Sequence, residues 1–531
     1  MQSFGDAQAL EDLRSRATAI ASAWGAAAAT FTSVGQERAI LRLFSVGGLD
    51  RAGRPLAAEV VDRYIAPDPG RLAGGIALPF AMAMAEYDLR PQELALEVAA
   101  GNVDLGLEAE LLAEPDRRTI AVANARAMAR AALDRIGANR VARQELLGLL
   151  GDPRRPWIGM GLRAPAIVDA LEEAAEAIEA GAEIIQVDVP PSRELSELAT
   201  RAGRTIQGWT PAPTSRGGLD AHDPSVPPVP AGSQRALNVL RRFVDEAGAR
   251  HRGYVRLLTD AQPLAAPDQA VVAAFERIDI VISDPMREIV AGRVDPDRAL
   301  ADHVFAHRLL ARAGTRVLVP DGPLLVGPDL ASGQPSRPAV RAGRALAMQL
   351  LAVELARRDG LEAEAISVGA YPAWLIDEPG APARAAAEVA VRRLLLPEHP
   401  MAFVEPDLPG RSAATWHALA AALLPDAGEV DLVIRGAGDP SVVIERARAA
   451  ATVAMGLRDS RRSPVLSGPA LEHAQEMVEA ASDTLARLDG SGWGAVVDQP
   501  LGVAAGGLGA EAVAERAEAF DPIAAEVDGS G

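Results

Sequence analysis

The sequence contains neither cysteine nor lysine. Lysine and arginine together number 53 in this chain of 531 residues, and all 53 are arginine. Without cysteine the chain has no disulfide, thiolate metal site or cysteine nucleophile. Without lysine it has no ε-amine, so its side chains cannot form a Schiff base or supply the lysine of a phosphate-binding loop.

Other features are absent as well. No window reaches 18 uninterrupted apolar residues, and the N-terminus has no basic segment followed by an apolar one, so neither a membrane span nor a signal peptide is expected. The net charge is −19, which opposes non-specific binding to nucleic acid. We therefore expect a cytoplasmic protein with neither nucleic-acid nor membrane partners.

Residues 1–150 have the pattern of helices. Stretches such as "QERAILRLFSV" and "TIAVANARAMARAALDRI" repeat apolar residues at spacings of three and four. The segment "RPQELALEVAAG" begins at a proline and ends at Gly101, which are helix start and stop signals. This pattern predicts a helical accessory region without strands.

From residue 151 to about 460, short β-rich runs alternate with helical stretches. Eight runs are present: 157–162, 183–189, 254–260, 278–284, 315–321, 363–369, 401–407 and 429–435. Apolar strands with helical crossovers indicate a parallel sheet covered on both faces. Eight such repeats predict an α/β fold, the (β/α)8 or TIM barrel; a doubly wound sheet is the alternative. Residues 461–531 then form a helical and glycine-rich C-terminal extension.

Five strand-like runs end in or near an aspartate, at Asp188, Asp260, Asp284, Asp321 and Asp407. The C-terminal strand ends of a barrel converge on its active site, so these carboxylates are candidate acids, bases or partners for a substrate ammonium. Aspartate is also a common helix N-cap, and that interpretation stays open for each of them. Asp284 and Asp321 are the candidate catalytic residues. Arg287 follows Asp284 closely enough to face an anionic ligand at the mouth, and the alternative for it is a first-turn position on a solvated helix.

Histidines are few and do not predict a metal site. His303 and His307 share one face of a predicted helix, where a solvated surface position is expected because no third ligand is visible. His417 also has a helical context. No nucleophile elbow, zinc-protease motif or dinucleotide fingerprint occurs in a suitable context.

The chain resembles the large α subunit of lysine 5,6-aminomutase. The resemblance is carried by "SVGQERAILRLFSVGGLD" (33–50), "RPQELALEVAAGNVDL" (90–105), "ANRVARQELLGLLGD" (138–152), "AEIIQV" (182–187), the stretch 253–284 and "GGLGAEAVAERAEAFDPI" (506–523). It runs in order along nearly the whole chain.

The resemblance implies a barrel subunit of an isomerase that moves an amino group of lysine by radical chemistry. It implies a smaller partner subunit that binds adenosylcobalamin and carries the lysine for pyridoxal phosphate, and a small amino-acid substrate. A lysine-free barrel chain is compatible with that division, since the cofactors supply the chemistry.

Several positions depart from the family pattern. The family's phosphate loop corresponds to residues 189–194, where two prolines have no N–H to offer and Ser192 and Arg193 remain as candidate contacts. Gln262 stands where the family has a serine near the pyridine nitrogen, and Arg287 replaces the aromatic residue that stacks on the ring. The family's later active-site lysine falls near Ala402. Binding of pyridoxal phosphate is therefore in doubt, and the resemblance implies a divergent member.

Two other functions remain open. One is a non-catalytic paralogue that serves as a partner or scaffold, and the other is a barrel enzyme of different chemistry that uses the strand-end carboxylates.

Overall fold

The eight predicted runs form a closed parallel barrel. The computed structural model describes residues 7–48, 55–164, 167–187, 234–260, 264–290, 294–321, 337–369, 381–404, 430–434, 439–445, 448–449, 452, 468–493, 513–517 and 520–524. The barrel strands are β2 (Ile158–Leu162), β3 (Ile184–Val187), β4 (Arg256–Asp260), β5 (Ile280–Ile282), β6 (Arg316–Val319), β7 (Ile366–Gly369), β8 (Met401–Val404) and β9 (Val430–Ile434). Each strand pairs in parallel with the next, and β9 pairs with β2 to close the ring. The predicted (β/α)8 fold is confirmed, and the doubly wound alternative is not observed.

The N-terminal region is helical, as predicted, apart from one short strand. Its helices are α1 (Ala7–Ala28), α2 (Val34–Leu43), α3 (Leu56–Ile65), α4 (Arg71–Gly74), α5 (Ala77–Tyr87), α6 (Pro91–Ala100), α7 (Leu105–Leu111) and α8 (Pro115–Leu150). The expectation of no strands here is wrong, because β1 (Phe31–Ser33) pairs antiparallel with β10 (Val513–Glu515) near the C-terminus. A three-residue strand is too short to show alternation in the sequence.

Helix α6 shows how local chemistry sets the predicted boundaries. Pro91 occupies the first helical position, where no N–H is needed, and the Glu93 carboxylate accepts a hydrogen bond from the Arg90 N–H at 3.0 Å. Gly101 ends the helix with a φ of 82°, a left-handed conformation that glycine adopts without a Cβ penalty.

The barrel is surrounded by helices that follow its strands. These are α9 (Ile167–Glu179), α10 (Gln234–His251), α11 (Ala266–Phe275), α12 (Pro285–Val290), α13 (Pro296–Ala313), α14 (Pro338–Arg358) and α15 (Ala381–Leu395). The helix α16 (Pro469–Ser491) of the C-terminal extension packs on α14 and α15. No helix in the part of the chain that the structure describes is long and apolar enough to cross a membrane.

Along each barrel strand, successive side chains point alternately to the apolar interior and to the helical shell. The interior cluster consists of Trp157, Ile184, Leu258, Ile280, Ile282, Leu318 and Ala402. The neighbouring strand residues, such as Ile185, Val281 and Val317, belong to the outer core against the helices. Gly159 faces inward where space is short, since a Cβ there would lie 2.9 Å from the Ile184 Cβ. Side chains therefore fill the barrel, and a ligand must bind at one of its ends.

Close packing of α14 on α16 gives a testable prediction. A Cβ on Gly343 would lie 2.3 Å from the Met477 carbonyl oxygen and 2.7 Å from the Ala480 Cβ. Gly343→Ala should therefore destabilise the protein by roughly 1–3 kcal/mol, as overpacked cores do. The free energy of unfolding in urea, followed by circular dichroism, measures the change.

Gly137 provides the matched control. It lies within α8 and has no atom within 4 Å of an added Cβ, so Gly137→Ala should leave stability equal or raise it by about 0.5–1 kcal/mol. A Gly343→Ala variant as stable as Gly137→Ala would contradict the observed approach of the two helices.

Candidate functional site

The C-terminal end of the barrel carries an ion pair between β4 and α12. The Arg287 guanidinium donates from Nη2 to Asp260 Oδ1 at 2.7 Å and from Nη1 to Oδ2 at 3.5 Å. The Arg287 side chain is 31% exposed and that of Asp260 is 12% exposed. Burial lowers the pKa of Arg287, but Asp260 outweighs this and raises it above its ordinary value, so the guanidinium stays charged. Asp260 thus holds a permanent cation at the mouth.

Asp284 caps the helix that carries this arginine. Its Oδ1 accepts hydrogen bonds from the backbone N–H of Met286 at 2.9 Å and of Arg287 at 3.2 Å. Its other oxygen, Oδ2, is buried without a hydrogen-bond partner among the residues that the structure describes. Burial raises the pKa of Asp284 to about 6, although Arg287 acts in the opposite direction. The helix-cap interpretation holds for Oδ1, and Oδ2 is a buried polar atom that a ligand cation or donor would satisfy.

Asp321, the other candidate catalytic residue, binds the helical shell instead. Its carboxylate accepts a hydrogen bond from Arg392 of α15, and Arg392 also donates to the Gln349 side-chain oxygen at 2.8 Å. Glu388 lies beside this arginine and contacts His473 of α16 at 3.2 Å. Burial raises the pKa of Asp321 despite the arginine. In this arrangement Asp321 links β6 to α15, and the structure does not bring it together with Asp284.

Strand β7 ends in a glycine. Gly369 is buried and pairs with Ala402, the second residue of β8, whose side chain belongs to the interior cluster. Gly369 is required by packing, since a Cβ there would lie 2.7 Å from the Asp321 backbone nitrogen. Beside β4, β3 contributes Gln186, which is fully buried. The mouth therefore has charged groups on the β4 and β5 side and a glycine at the end of β7.

Several predicted site residues lie outside the described residues. These are the candidate cofactor contacts Ser192, Arg193 and Gln262, the strand-end acids Asp188 and Asp407, and His417. Only Arg287 of the candidate cofactor contacts can be placed. Among the His, Asp and Glu residues that can be placed, no group of three or more has the geometry to hold a metal ion.

The expectation that His303 and His307 lie on a solvated surface is wrong. Both are buried, at 2% and 1% exposure. Helix α13 lies between the barrel and the helices α1, α8, α11 and α14, so the histidine face packs inside the shell. His303 contacts Ser283 and Glu288, and His307 contacts Ser283 and Asp359. Sequence reasoning missed this group because Ser283 and Glu288 gave no signal apart from lying on either side of Asp284 and Arg287.

The fold and the strand-end site define a (β/α)8 barrel protein with its candidate site at the C-terminal mouth. Within that class, the chain belongs to the family described as the D-lysine 5,6-aminomutase TIM-barrel domain of the alpha subunit, whose model matches residues 5–216 and 229–408.

Two curated relatives carry the description lysine 5,6-aminomutase alpha subunit. The protein from Fusobacterium nucleatum is 28% identical over 284 residues, which cover 53% of this chain and 50% of the relative. The protein from Acetoanaerobium sticklandii is 27% identical over 310 residues, covering 58% of this chain and 54% of the relative. The chain thus spans about half the length of the curated relatives that it matches.

Among solved structures, the dihydropteroate synthase of Burkholderia cenocepacia aligns with a TM-score of 0.32 and 14% identity, over 58% of this chain and 94% of that one. A likeness at this level says nothing about ligands.

The chain's own residues do not fit a covalently held pyridoxal phosphate. No lysine is present to form the imine. Among the described mouth residues, the single cation Arg287 lies beside two acids, Asp260 and Asp284. This group disfavours a phosphate, which carries up to two negative charges.

The buried carboxyl of Asp284 gives a pH prediction. Its pKa is about 6 in the folded protein and 3.8 ordinarily, so the folded state binds more protons than the unfolded state between these values. Stability should therefore fall as the pH rises through this window. Asp284→Asn keeps an oxygen for the cap and removes the charge. Above pH 6 it should exceed wild type in unfolding free energy by roughly 2–3 kcal/mol.

Urea unfolding at several pH values measures the effect. The difference between Asp284→Asn and wild type should shrink towards pH 4, where both side chains are neutral. A difference that stays constant between pH 4 and pH 8 would contradict the raised pKa of Asp284.

Proposed function

We propose that this chain is the barrel component of an isomerase of the lysine 5,6-aminomutase type, which acts on a small amino acid with a second amino group. Membership of the α-subunit barrel family supports this proposal. Residues 151–460 form the catalytic barrel, with 1–150 and 461–531 as accessory regions.

The mixed charge of the mouth is the observation that supports an amino acid as the class of substrate. Arg287 is a fixed, partly exposed guanidinium, which suits a substrate carboxylate. Asp284 Oδ2 is buried without a partner among the described residues and lies close enough to Arg287 for their charges to interact, which suits a substrate ammonium. An amino acid presents both groups a short distance apart. These residues bind and orient the substrate, and no chemical step is assigned to them.

Adenosylcobalamin and the imine-forming lysine belong, in this proposal, to a smaller partner subunit. The relatives are named as alpha subunits, and the lysine-free chain needs another source for an amine.

The experiment that tests the function combines the full chain, a co-expressed cobalamin-binding partner, adenosylcobalamin, pyridoxal phosphate and lysine. Movement of the amino group from carbon 6 to carbon 5 turns carbon 6 into a methyl group, which proton NMR detects as a new doublet.

A non-catalytic partner role is the second candidate, favoured by the arginine at the position of the aromatic stacker. In that case the complex forms, but no methyl doublet appears with either lysine enantiomer.

The first prediction from this proposal concerns Arg287. Charge-assisted hydrogen bonds contribute roughly 1.5–3 kcal/mol. Arg287→Ala should therefore weaken binding of L- or D-lysine by about tenfold or more, as measured by isothermal titration calorimetry.

Arg308 is the matched control. It is also 31% exposed and pairs with Asp521 at 2.8 Å, away from the mouth. Arg308→Ala should leave the lysine affinity unchanged. Equal loss of affinity in both variants, or none in Arg287→Ala, would place Arg287 outside the ligand site.

The second prediction concerns the cofactor. Pyridoxal phosphate mixed with the purified chain should give no imine that borohydride fixes to a side chain, because no ε-amine is present. Absorbance and peptide mass mapping measure this, with a lysine-containing protein as the positive control. Attachment at the α-amino terminus is outside the prediction; a fixed side-chain adduct would refute it.

A further inference from the structure

One imidazole ring bridges both ends of the turn that carries the mouth residues. His303 of α13 contacts Ser283 Oγ through Nδ1 at 2.7 Å and Glu288 Oε1 through Nε2 at 3.0 Å. Ser283 directly precedes Asp284, and Glu288 directly follows Arg287. The ring therefore holds the two residues that flank the cap and the cation of the site.

The contacts continue through the shell as a string of five buried side chains. Ser283 Oγ also contacts His307 Nε2 at 3.2 Å, and His307 Nδ1 contacts Asp359 Oδ2 at 3.4 Å. The other oxygen of Asp359, Oδ1, accepts a hydrogen bond from the Arg358 guanidinium at 2.7 Å. The string therefore runs from Glu288 through both histidines to Asp359, with a carboxylate at each end.

Two neutral histidines do not supply enough protons to form all four hydrogen bonds of this string. Four hydrogen bonds require four protons, and the two terminal carboxylates supply none when ionised. Ser283 supplies one, and each neutral histidine supplies one, which gives three. With only three, one of the four contacts has no proton, so two lone pairs face each other there. If each histidine donates to its carboxylate, that contact lies between Ser283 Oγ and a histidine nitrogen. One additional proton on a histidine completes all four bonds.

The surroundings indicate which histidine holds it. Burial lowers the pKa of His307, which favours its neutral form. His303 contacts the Glu288 carboxylate and lies near Asp284, whose pKa it lowers. The other charged groups nearby are already paired, Arg287 with Asp260, Asp302 with Arg298, and Arg358 with Asp359.

We propose that His303, protonated on both ring nitrogens, is a positioning residue of the barrel mouth, and that it clamps Ser283 and Glu288 so that Asp284 and Arg287 keep their places. The role does not depend on which ligand the mouth takes. Because the clamp requires a bound proton, its contribution to stability is present at low pH and is lost when the ring releases that proton as the pH rises.

Nitrogen NMR of the full chain labelled in histidine tests the proton directly. At pH 7.5, one unit above the ordinary histidine pKa of about 6.5, a solvated ring is about 10% doubly protonated. Of the seven histidines, we expect one to carry protons on both nitrogens at this pH. Glu288→Gln should abolish this signal, because the glutamine amide can donate to His303 Nε2 and supply the fourth proton.

Glu354→Gln is the matched control. Glu354 is also a buried glutamate, 5% exposed, but it pairs with Arg357 and contacts no residue of the string. This variant should keep the doubly protonated histidine. In urea unfolding above pH 6.5, the unfolding equilibrium constant should rise about tenfold more per pH unit in wild type than in Glu288→Gln, as expected for one released proton.

Hydrogen exchange tests the clamp itself. Ser283→Ala breaks the string in the middle, so the amides of residues 286–290 should exchange about tenfold faster than in wild type. Amides of α14, which lie outside the turn, should keep their rates. Absence of a doubly protonated histidine in wild type would overturn the proposal even if no variant folds. Its persistence in Glu288→Gln, or unchanged exchange in Ser283→Ala, would overturn it as well.

Discussion

At the end of β5, successive side chains must point to opposite faces of the barrel wall. Ile282 belongs to the interior cluster, so Ser283 faces the helical shell, where it meets both histidines of α13. The next residue, Asp284, ends the strand and caps α12, which carries Arg287. A shift of one residue would bury Asp284 against the histidines and turn Ser283 to the mouth. The register of one short strand thus decides which polar groups serve the site and which support it.

The barrel could be predicted because the strands are short, largely apolar runs, a pattern that arises when both faces of a strand are buried. Helix α6 was likewise predictable from its proline and glycine, since both signals are local. The β1–β10 pair was not, because it joins Phe31–Ser33 to a segment almost 500 residues later through three residues on each side. Pairing between such distant and short segments depends on the assembled tertiary structure, which leaves no periodicity in the sequence.

The candidate site was predictable in part, because contacts between residues close in the chain leave a pattern in the sequence and contacts between distant residues do not. The sequence placed Asp284 and Arg287 at a strand end, and chain proximity was enough to bring them together. It gave no indication that Asp260 would hold Arg287, because this partner comes from the neighbouring strand, 27 residues earlier. Asp321 had the same local pattern as Asp284, yet Arg392, 71 residues later, binds its carboxylate. Position at a strand end identifies the candidates, and only the packed helices distinguish a binding group from a structural one.

The absence of lysine determines how this end of the barrel responds to pH. Every permanent cation is an arginine, whose charge does not change near neutrality. Any response in that range must therefore come from carboxyl groups and histidines. Burial raises the pKa of Asp284 and Asp321, each two residues beyond the neighbouring strands β5 and β6, and each beside an arginine. The string through His303 ends in the same turn as Asp284. Asp284 therefore places a carboxyl group with a raised pKa at the mouth, so a binding step there depends on pH through the protein even when the ligand's own charge is constant.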